Sequence, residues 1–313
     1  MSFFDQLLVT LLPLVPKPIV HQVASNYVAG ETIDDVIQVV KELNQDGMLA
    51  TIDLLGEFIR QPSEAEQAAD AYVHILNVIQ DHKLQANVSI KLSQMGLLLD
   101  KELCYRLMKR VVAAAEETNN FVRIDMEDSA CTSDTIAIYL RLRQDSKQVG
   151  IVLQAYLRRT LGDVRHLIDE RAGHFRLCKG IYVEPRALAF KDRELVNRNY
   201  ALVLEEMIKH KAYVGIATHD ERLVWEAQRL IDQYQVPSDR YEFQMLLGVD
   251  PQLRQIILGG GHKLRVYVPF GQQWYAYSMR RLKENPTVAR YVMQSTLRRF
   301  WYWLQKKPVK DWH

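Results

Sequence analysis

The chain is poor in cysteine. It has three, Cys104, Cys131 and Cys178, odd in number and widely spaced, so neither a disulfide framework nor a C-x-x-C metal site is indicated. An excess of charge of one sign is also lacking. Forty basic residues stand against 38 acidic ones, and a net charge of +2 gives no whole-molecule field that would recruit nucleic acid. Long apolar runs are missing too. The stretch from Phe3 to Val20 has no basic leader, is interrupted by Asp5 and Gln6, and carries Pro13, Pro16 and Pro18, which would break a spanning helix. It reads as a short amphipathic helix followed by a turn, and the chain reads as cytoplasmic. No Ser/Gly linker, low-complexity tract or repeat divides the sequence. G-x-G-x-x-G, H-E-x-x-H and Cys/His clusters are all absent, which argues against a Rossmann unit and predicts no metal.

What is present is an alternation. Short apolar, β-rich runs recur about eight times, each followed by a longer segment with helical periodicity. They are Met48 to Leu55, Val88 to Leu92, Phe121 to Met126, Gly150 to Tyr156, Phe175 to Tyr182, Ala212 to Thr218, Tyr241 to Leu246 and Arg265 to Phe270. Strand-then-helix order implies parallel strands, because each return to the same edge needs a crossover. A count near eight without a Gly-rich first turn favours closure into a (β/α)8 TIM-type barrel, of the α/β class, over a doubly wound sheet. The expected layout is one domain over 1–313, with N-terminal helices to residue 45, the barrel over 46–285, and a C-terminal helix and tail over 286–313. The Gly259-Gly260-Gly261 run precedes a strand, so it reads as a helix-ending loop and not as a phosphate cradle.

Strand alternation separates two chemistries. Ser89, Lys91 and Ser93 share one face of their strand, and Arg123, Asp125 and Glu127 share one face of the next, each set opposite an aliphatic face. The same parity puts Asp53, Gln154, Arg176, Gln244 and Tyr267 inward. A barrel interior serving stability alone would be filled with Val, Ile and Leu. Buried charge is costly unless it is paired or bound, so this interior predicts a polar ligand at the C-terminal ends of the strands. An internal salt-bridge network is the alternative. After the last strand, Trp274 to Glu284 reads as the final barrel helix, with Tyr277, Arg280, Arg281 and Glu284 at i, i+3, i+4 and i+7 on one face. Adjacent arginines make a fork suited to a carboxylate.

Nine blocks in order carry a family resemblance, over roughly residues 45–290. They are 53–57 (DLLGE), 89–92 (SIKL), 122–128 (VRIDMED), 152–156 (VLQAY), 176–182 (RLCKGIY), 217–220 (ATHD), 241–246 (YEFQML), 265–269 (RVYVP), and Tyr277 with Arg280, Arg281 and Glu284. In these the chain resembles the proline dehydrogenases. The resemblance implies a distorted (β/α)8 barrel that binds FAD and moves a hydride from C5 of L-proline to the flavin N5, giving 1-pyrroline-5-carboxylate, with electrons passed to a quinone. It implies FAD contacts from Met126, Gln154, Lys179, Gly180, Ile181, Thr218 and His219, with Arg176 near N5 to stabilise charge on the reduced ring. It implies that Lys91, Arg280 and Arg281, with Tyr267, Tyr277 and Glu284, hold the substrate, and that Glu57 pairs with Arg280 as a gate. Asp125 is read as orienting Lys91 or an arginine, since positive neighbours make a carboxylate a poor base. Two positions depart from the pattern: Ile181 stands where alanine is common, and Cys178 where valine is usual.

Two other readings stay open on the residues. One is a Schiff-base lyase using Lys91 or Lys179 as nucleophile. The other is a non-catalytic scaffold at a membrane surface. A quinone acceptor calls for some bilayer contact, for which the aromatic and basic tail from Arg298 to Trp312 is a candidate, with a packed structural helix as the alternative.

Overall fold

The β-branched runs form strands because their aliphatic faces need cover on one side only, and the amphipathic segments between them supply that cover. The computed structural model describes residues 26–56, 59–275 and 277–279. After α1 (Ile33–Gln45), the chain alternates through β1 (Leu49–Leu54), α2 (Pro62–Asp81), β2 (Ala86–Lys91), α3 (Lys101–Glu117), β3 (Val122–Asp125), α4 (Ser129–Asp145) and β4 (Val149–Gln154). The second half continues with α5 (Thr160–Asp169), β5 (His174–Cys178), α6 (Arg193–Lys209), β6 (Tyr213–Ala217), α7 (Glu221–Gln233), β7 (Tyr241–Leu246), α8 (Pro251–Gly259) and β8 (Leu264–Phe270). All eight strands are parallel and pair in sequence order, and β8 returns to β1 with Ala50 opposite Val266, so the barrel closes. Each predicted strand coincides with an observed one. The runs predicted through Tyr156 and Tyr182 stop earlier, at Gln154 and Cys178.

Helix entry is specified locally. Asp100, Asp128, Asp192, Asp220 and Asp250 cap α3, α4, α6, α7 and α8, each accepting from backbone N–H groups of the first turn. Gly261, in left-handed backbone at φ +77°, follows the end of α8, so the glycine run ends a helix as its position suggested.

The apolar core lies between the strands and the helices. Ile52, Ile90, Ile124, Leu153, Leu177, Ile216, Phe243 and Val266 are buried on the outer strand face. The inner face is polar, as strand parity predicts, but in two tiers with different fates. Toward the N-terminal ends of the strands the polar groups satisfy one another. Arg265 Nε meets Glu242 Oε1 at 2.6 Å, while Arg123 reaches the His174 carbonyl at 2.9 Å and His174 Nδ1 at 3.0 Å. This lower tier is an internal polar network in which Arg265 and Glu242 form an ion pair. The upper tier faces a cavity.

Among the described residues no helix is long and apolar enough to cross a membrane. The apolar N-terminal run, Glu57 and the C-terminal tail lie outside the described residues.

Candidate active site

Asp125, at the C-terminal end of β3, is the hub of the upper tier. Its Oδ1 accepts from the Ser89 hydroxyl at 2.6 Å and from Arg176 at 2.7 Å, and its Oδ2 accepts from the Tyr267 hydroxyl at 2.7 Å. Lys91 stands 3.9 Å from the same oxygen but is held more closely by Asp53, at 3.0 and 3.1 Å. The sequence reading had Asp125 orienting Lys91 or an arginine. The arginine is Arg176, and the close carboxylate of Lys91 is Asp53, which parity alone had placed inward without a role. Burial raises the Tyr267 phenol well above its ordinary value, with Asp125 and Asp53 adding to the effect, so the hydroxyl stays a donor. Tyr72, a wholly buried residue of α2, supports this cluster from behind by donating to the Ser89 carbonyl at 2.9 Å.

Above this cluster opens a cavity of about 400 Å3 at the C-terminal ends of the strands. Lys91, Asp125 and Arg176 line its floor with Tyr267, and Tyr277 borders it as well. Tyr277 is buried against Val28, Leu55 and Trp274. Met126, Gln154, Lys179, Gly180, Ile181, Thr218 and His219 line the same cavity, so every cofactor-binding residue read from the sequence converges there. Arg280, Arg281 and Glu284 lie outside the described residues.

Several wall residues are held by specific contacts. The Gln154 amide donates to the carbonyls of Met126 and Glu127 at 2.9 and 3.1 Å, and its buried Oε1 has no hydrogen-bond partner among the described residues. Lys179 pairs with Asp220 at 2.6 Å, and Asn197 donates to the same carboxylate at 3.2 Å. Burial pushes the Asp220 carboxyl up, but Lys179 and the hydrogen bonds outweigh it and hold the group below its usual value. His219 Nε2 accepts from the Leu246 N–H at 2.8 Å, which fixes the proton on Nδ1 if the ring is neutral. Gly180 adopts φ +103°, and a Cβ there would lie 2.1 Å from the Tyr156 ring. Ile181, 44% exposed, and the half-buried Cys178 both line the cavity, so the two departures from the family pattern fall on its wall.

The sequence reading missed Asp220 and gave no role to Asp53 or Gln244. The signal for Asp53 and Gln244 was their inward parity. The signal for Asp220 was its place directly after the Thr218-His219 pair, at the start of a helix.

The family model described as proline dehydrogenase matches residues 36–294. The chain belongs to the proline dehydrogenase family. It is accordingly an oxidoreductase enzyme. Proline dehydrogenase 1 of Bacillus subtilis is 35% identical over 276 residues, covering 88% of this chain and 91% of the relative. Proline dehydrogenase of Deinococcus radiodurans is 35% identical over 301 residues, covering 92% and 97%. Among solved structures, proline utilization A (PutA) of Bdellovibrio bacteriovorus inactivated by N-propargylglycine superposes with a TM-score of 0.79 at 24% identity. The match covers 85% of this chain and 33% of that one, and it bears on the fold alone.

Proposed function

We propose that this enzyme oxidises L-proline to 1-pyrroline-5-carboxylate, the first step of proline catabolism, using FAD held in the cavity and passing the electrons on to a quinone. The supporting observation is the arrangement on the floor, where one buried carboxylate, Asp125, gathers Arg176, Tyr267 and Ser89 beneath a cavity of about 400 Å3. The residues suit a flavin. The buried Gln154 Oε1 is an acceptor suited to a ring N–H, and Lys179, Thr218 and His219 offer polar groups around the rest of the cavity. When bound, FAD would supply the hydride acceptor.

The chain's own residues would place the substrate and remove water. Lys91, steadied by Asp53, would hold the proline carboxylate with Arg280 and Arg281, fixing the ring so that C5 points at the acceptor. Hydride leaves C5 as the nitrogen lone pair forms the C=N bond, so the ring nitrogen must already be deprotonated. In this reading Asp125 orients its neighbours and is not the base. The carboxylate already accepts three hydrogen bonds, and its role is to aim Arg176 and Tyr267. Tyr267 would close the pocket around the ring. Nothing in the geometry favours a Schiff-base lyase, because Lys91 and Lys179 are each ion-paired with an aspartate and held as donors.

The test is spectroscopic. Purified protein should carry or take up FAD, and L-proline should bleach the flavin absorbance without oxygen. Protein that is colourless and cannot be reconstituted would sink the proposal. Arg280→Ala and Arg281→Ala should raise the proline KM strongly with flavin content intact, and unchanged kinetics in both would remove the carboxylate clamp. Removing residues after 297 should abolish vesicle binding and quinone reduction while sparing activity with a soluble dye, if the tail is a membrane contact. Loss of all activities together would make it a structural helix.

A further inference from the structure

The lower tier of the barrel is joined to the cavity floor through the Gln244 side chain. Glu242 is 2% exposed, and its Oε1 accepts from Arg265 Nε and from Gln244 Nε2, both at 2.6 Å. The other end of the same amide, Gln244 Oε1, accepts from Arg176 Nε, and Arg176 reaches Asp125 from there. A carboxylate only accepts and a guanidinium only donates. Between Glu242 below and Arg176 above, only one orientation of the Gln244 amide satisfies both neighbours. Turned over, it would set its NH2 against the guanidinium and its carbonyl against the carboxylate.

The neighbouring strand is shaped to admit this amide. Gly215 of β6 lies in register with Arg176 on one side and Glu242 on the other. A Cβ at Gly215 would come within 2.4 Å of Gln244 Nε2. Gly215 is not among the glycines with positive φ, so it is there for room and not for backbone freedom. The charge of Glu242 is also secured: burial pushes its carboxyl up, yet Arg265 and the Gln244 amide bring it below the usual value.

We infer that Glu242, with Arg265 as its counter-ion, is a positioning residue for the oxidation, fixing the aim of Arg176 into the cavity through the oriented amide of Gln244. Glu242 touches neither substrate nor cofactor in this role. It selects the amide orientation, the amide holds the Nε edge of the guanidinium, and the remaining edge is left for Asp125 and the cavity. The inference rests on the flavin-dependent reading, in which the Arg176 cation stabilises charge on the reduced ring.

Two variants test it, with the parent enzyme alongside. Gly215→Ala leaves the Glu242–Arg265 pair in place and displaces only the flexible end of Gln244. Glu242→Gln removes the charge that selects the amide orientation. Both should lower kcat about tenfold with the proline KM within about twofold, a fraction of what deleting a direct transition-state donor costs. Both should also shift the midpoint potential of the bound flavin to more negative values. In the cofactor-free chain, the Arg176 Nε–H resonance should lose its protection from solvent exchange. Should Glu242→Gln fold poorly for want of a partner for Arg265, Glu242→Gln/Arg265→Gln removes both charges and should recover stability but not kcat. A folded Gly215→Ala variant with parental kcat, potential and exchange protection would overturn the inference. So would a merely lower melting temperature in the Glu242 variants, with the other readouts unmoved. A parent that binds no flavin would instead overturn the functional reading, which keeps the two failures distinct.

Discussion

The Tyr267 hydroxyl donates to Asp125 Oδ2 at 2.7 Å across the barrel, from β8 to β3, while Arg176 on β5 takes the other oxygen of the same carboxylate at 2.7 Å. Three strands that are not neighbours are thus tied together by one side chain. The Arg176 guanidinium also lies 5.4 Å from the centre of the Tyr267 ring, so the two groups that Asp125 aims also pack on each other. Disturbing one member should therefore disturb the others.

Replacing Asp125 by asparagine should be the most damaging floor substitution. It leaves Arg176 buried without its close counter-charge and turns one of the two oxygens that accept from Ser89 and Tyr267 into an NH2 donor. We expect kcat to fall about a hundredfold or more. Leaving a buried charge without its partner should also cost about 3 kcal/mol of stability. Steady-state kinetics and denaturant unfolding of the same preparation measure both. An Asp125→Asn enzyme within threefold of the parent kcat would show that the hub is dispensable.

Tyr267 should set ring selectivity. Its ring lines the cavity with its hydroxyl already committed to Asp125, so it presents an aromatic face that offers a substrate hydroxyl no partner. Trans-4-hydroxyproline should be a clearly poorer substrate than proline, and Tyr267→Ser should narrow the gap. Equal kcat/KM for the two substrates in the parent enzyme would contradict this.

Gly180→Ala should uncouple cofactor retention from folding. The substituted residue would face both a left-handed backbone at φ +103° and a Cβ contact of 2.1 Å with the Tyr156 ring, which is rigid and has no flexible end to move aside. The strain falls on the cavity wall, beyond the last hydrogen-bonded residue of β5. The variant should fold with a modestly lower melting temperature and lose most of its bound flavin. Parental flavin content would count against placing this turn at the cofactor.

How far the site was legible in the sequence depended on the kind of signal. The eight strands could be read because each has one aliphatic face, and the period of two that reveals a strand also sorts Asp53, Lys91, Asp125, Arg176 and Tyr267 to the inside. The pairing inside the barrel could not be read. Whether Lys91 closes on Asp53 or Asp125 depends on the stagger between β1, β2 and β3, which moves a side chain by several ångströms without changing its parity. Parity was also silent on depth. Arg123 and Asp125 share a face of one strand, yet two residues of rise put the first in a closed network with His174 and the second in the cavity. Gly215 gave no local sign, since what it accommodates is a side chain of the next strand.

The lower tier should make stability depend on pH through His174. This ring is stacked on Tyr213, with centroids 4.2 Å apart, and lies 4.3 Å from the ring of Phe121. Its Nδ1 faces Arg123 at 3.0 Å. A guanidinium only donates, so Nδ1 must be the acceptor and the ring proton sits on Nε2. Protonation would place a cation on the atom facing Arg123. Burial first, and then the charges of Arg123 and Arg143, hold the His174 value well below the ordinary one. The unfolded chain takes up a proton at this residue near pH 6.5, while the folded chain does not until much lower pH. The neutral ring's contribution is therefore fully present above about pH 6.5 and declines progressively as pH falls below that value toward the folded value. Melting temperature should be level from about pH 8 to 7 and fall between about pH 6.5 and 5.5, a window above most carboxylate titration. His174→Asn, which keeps an acceptor for Arg123 but cannot titrate there, should melt lower than the parent at neutral pH and show a flatter profile across the same window. A parent profile that is already flat between those values would mean that His174 protonates without cost, and the closed network at the barrel floor would not be sensing its charge.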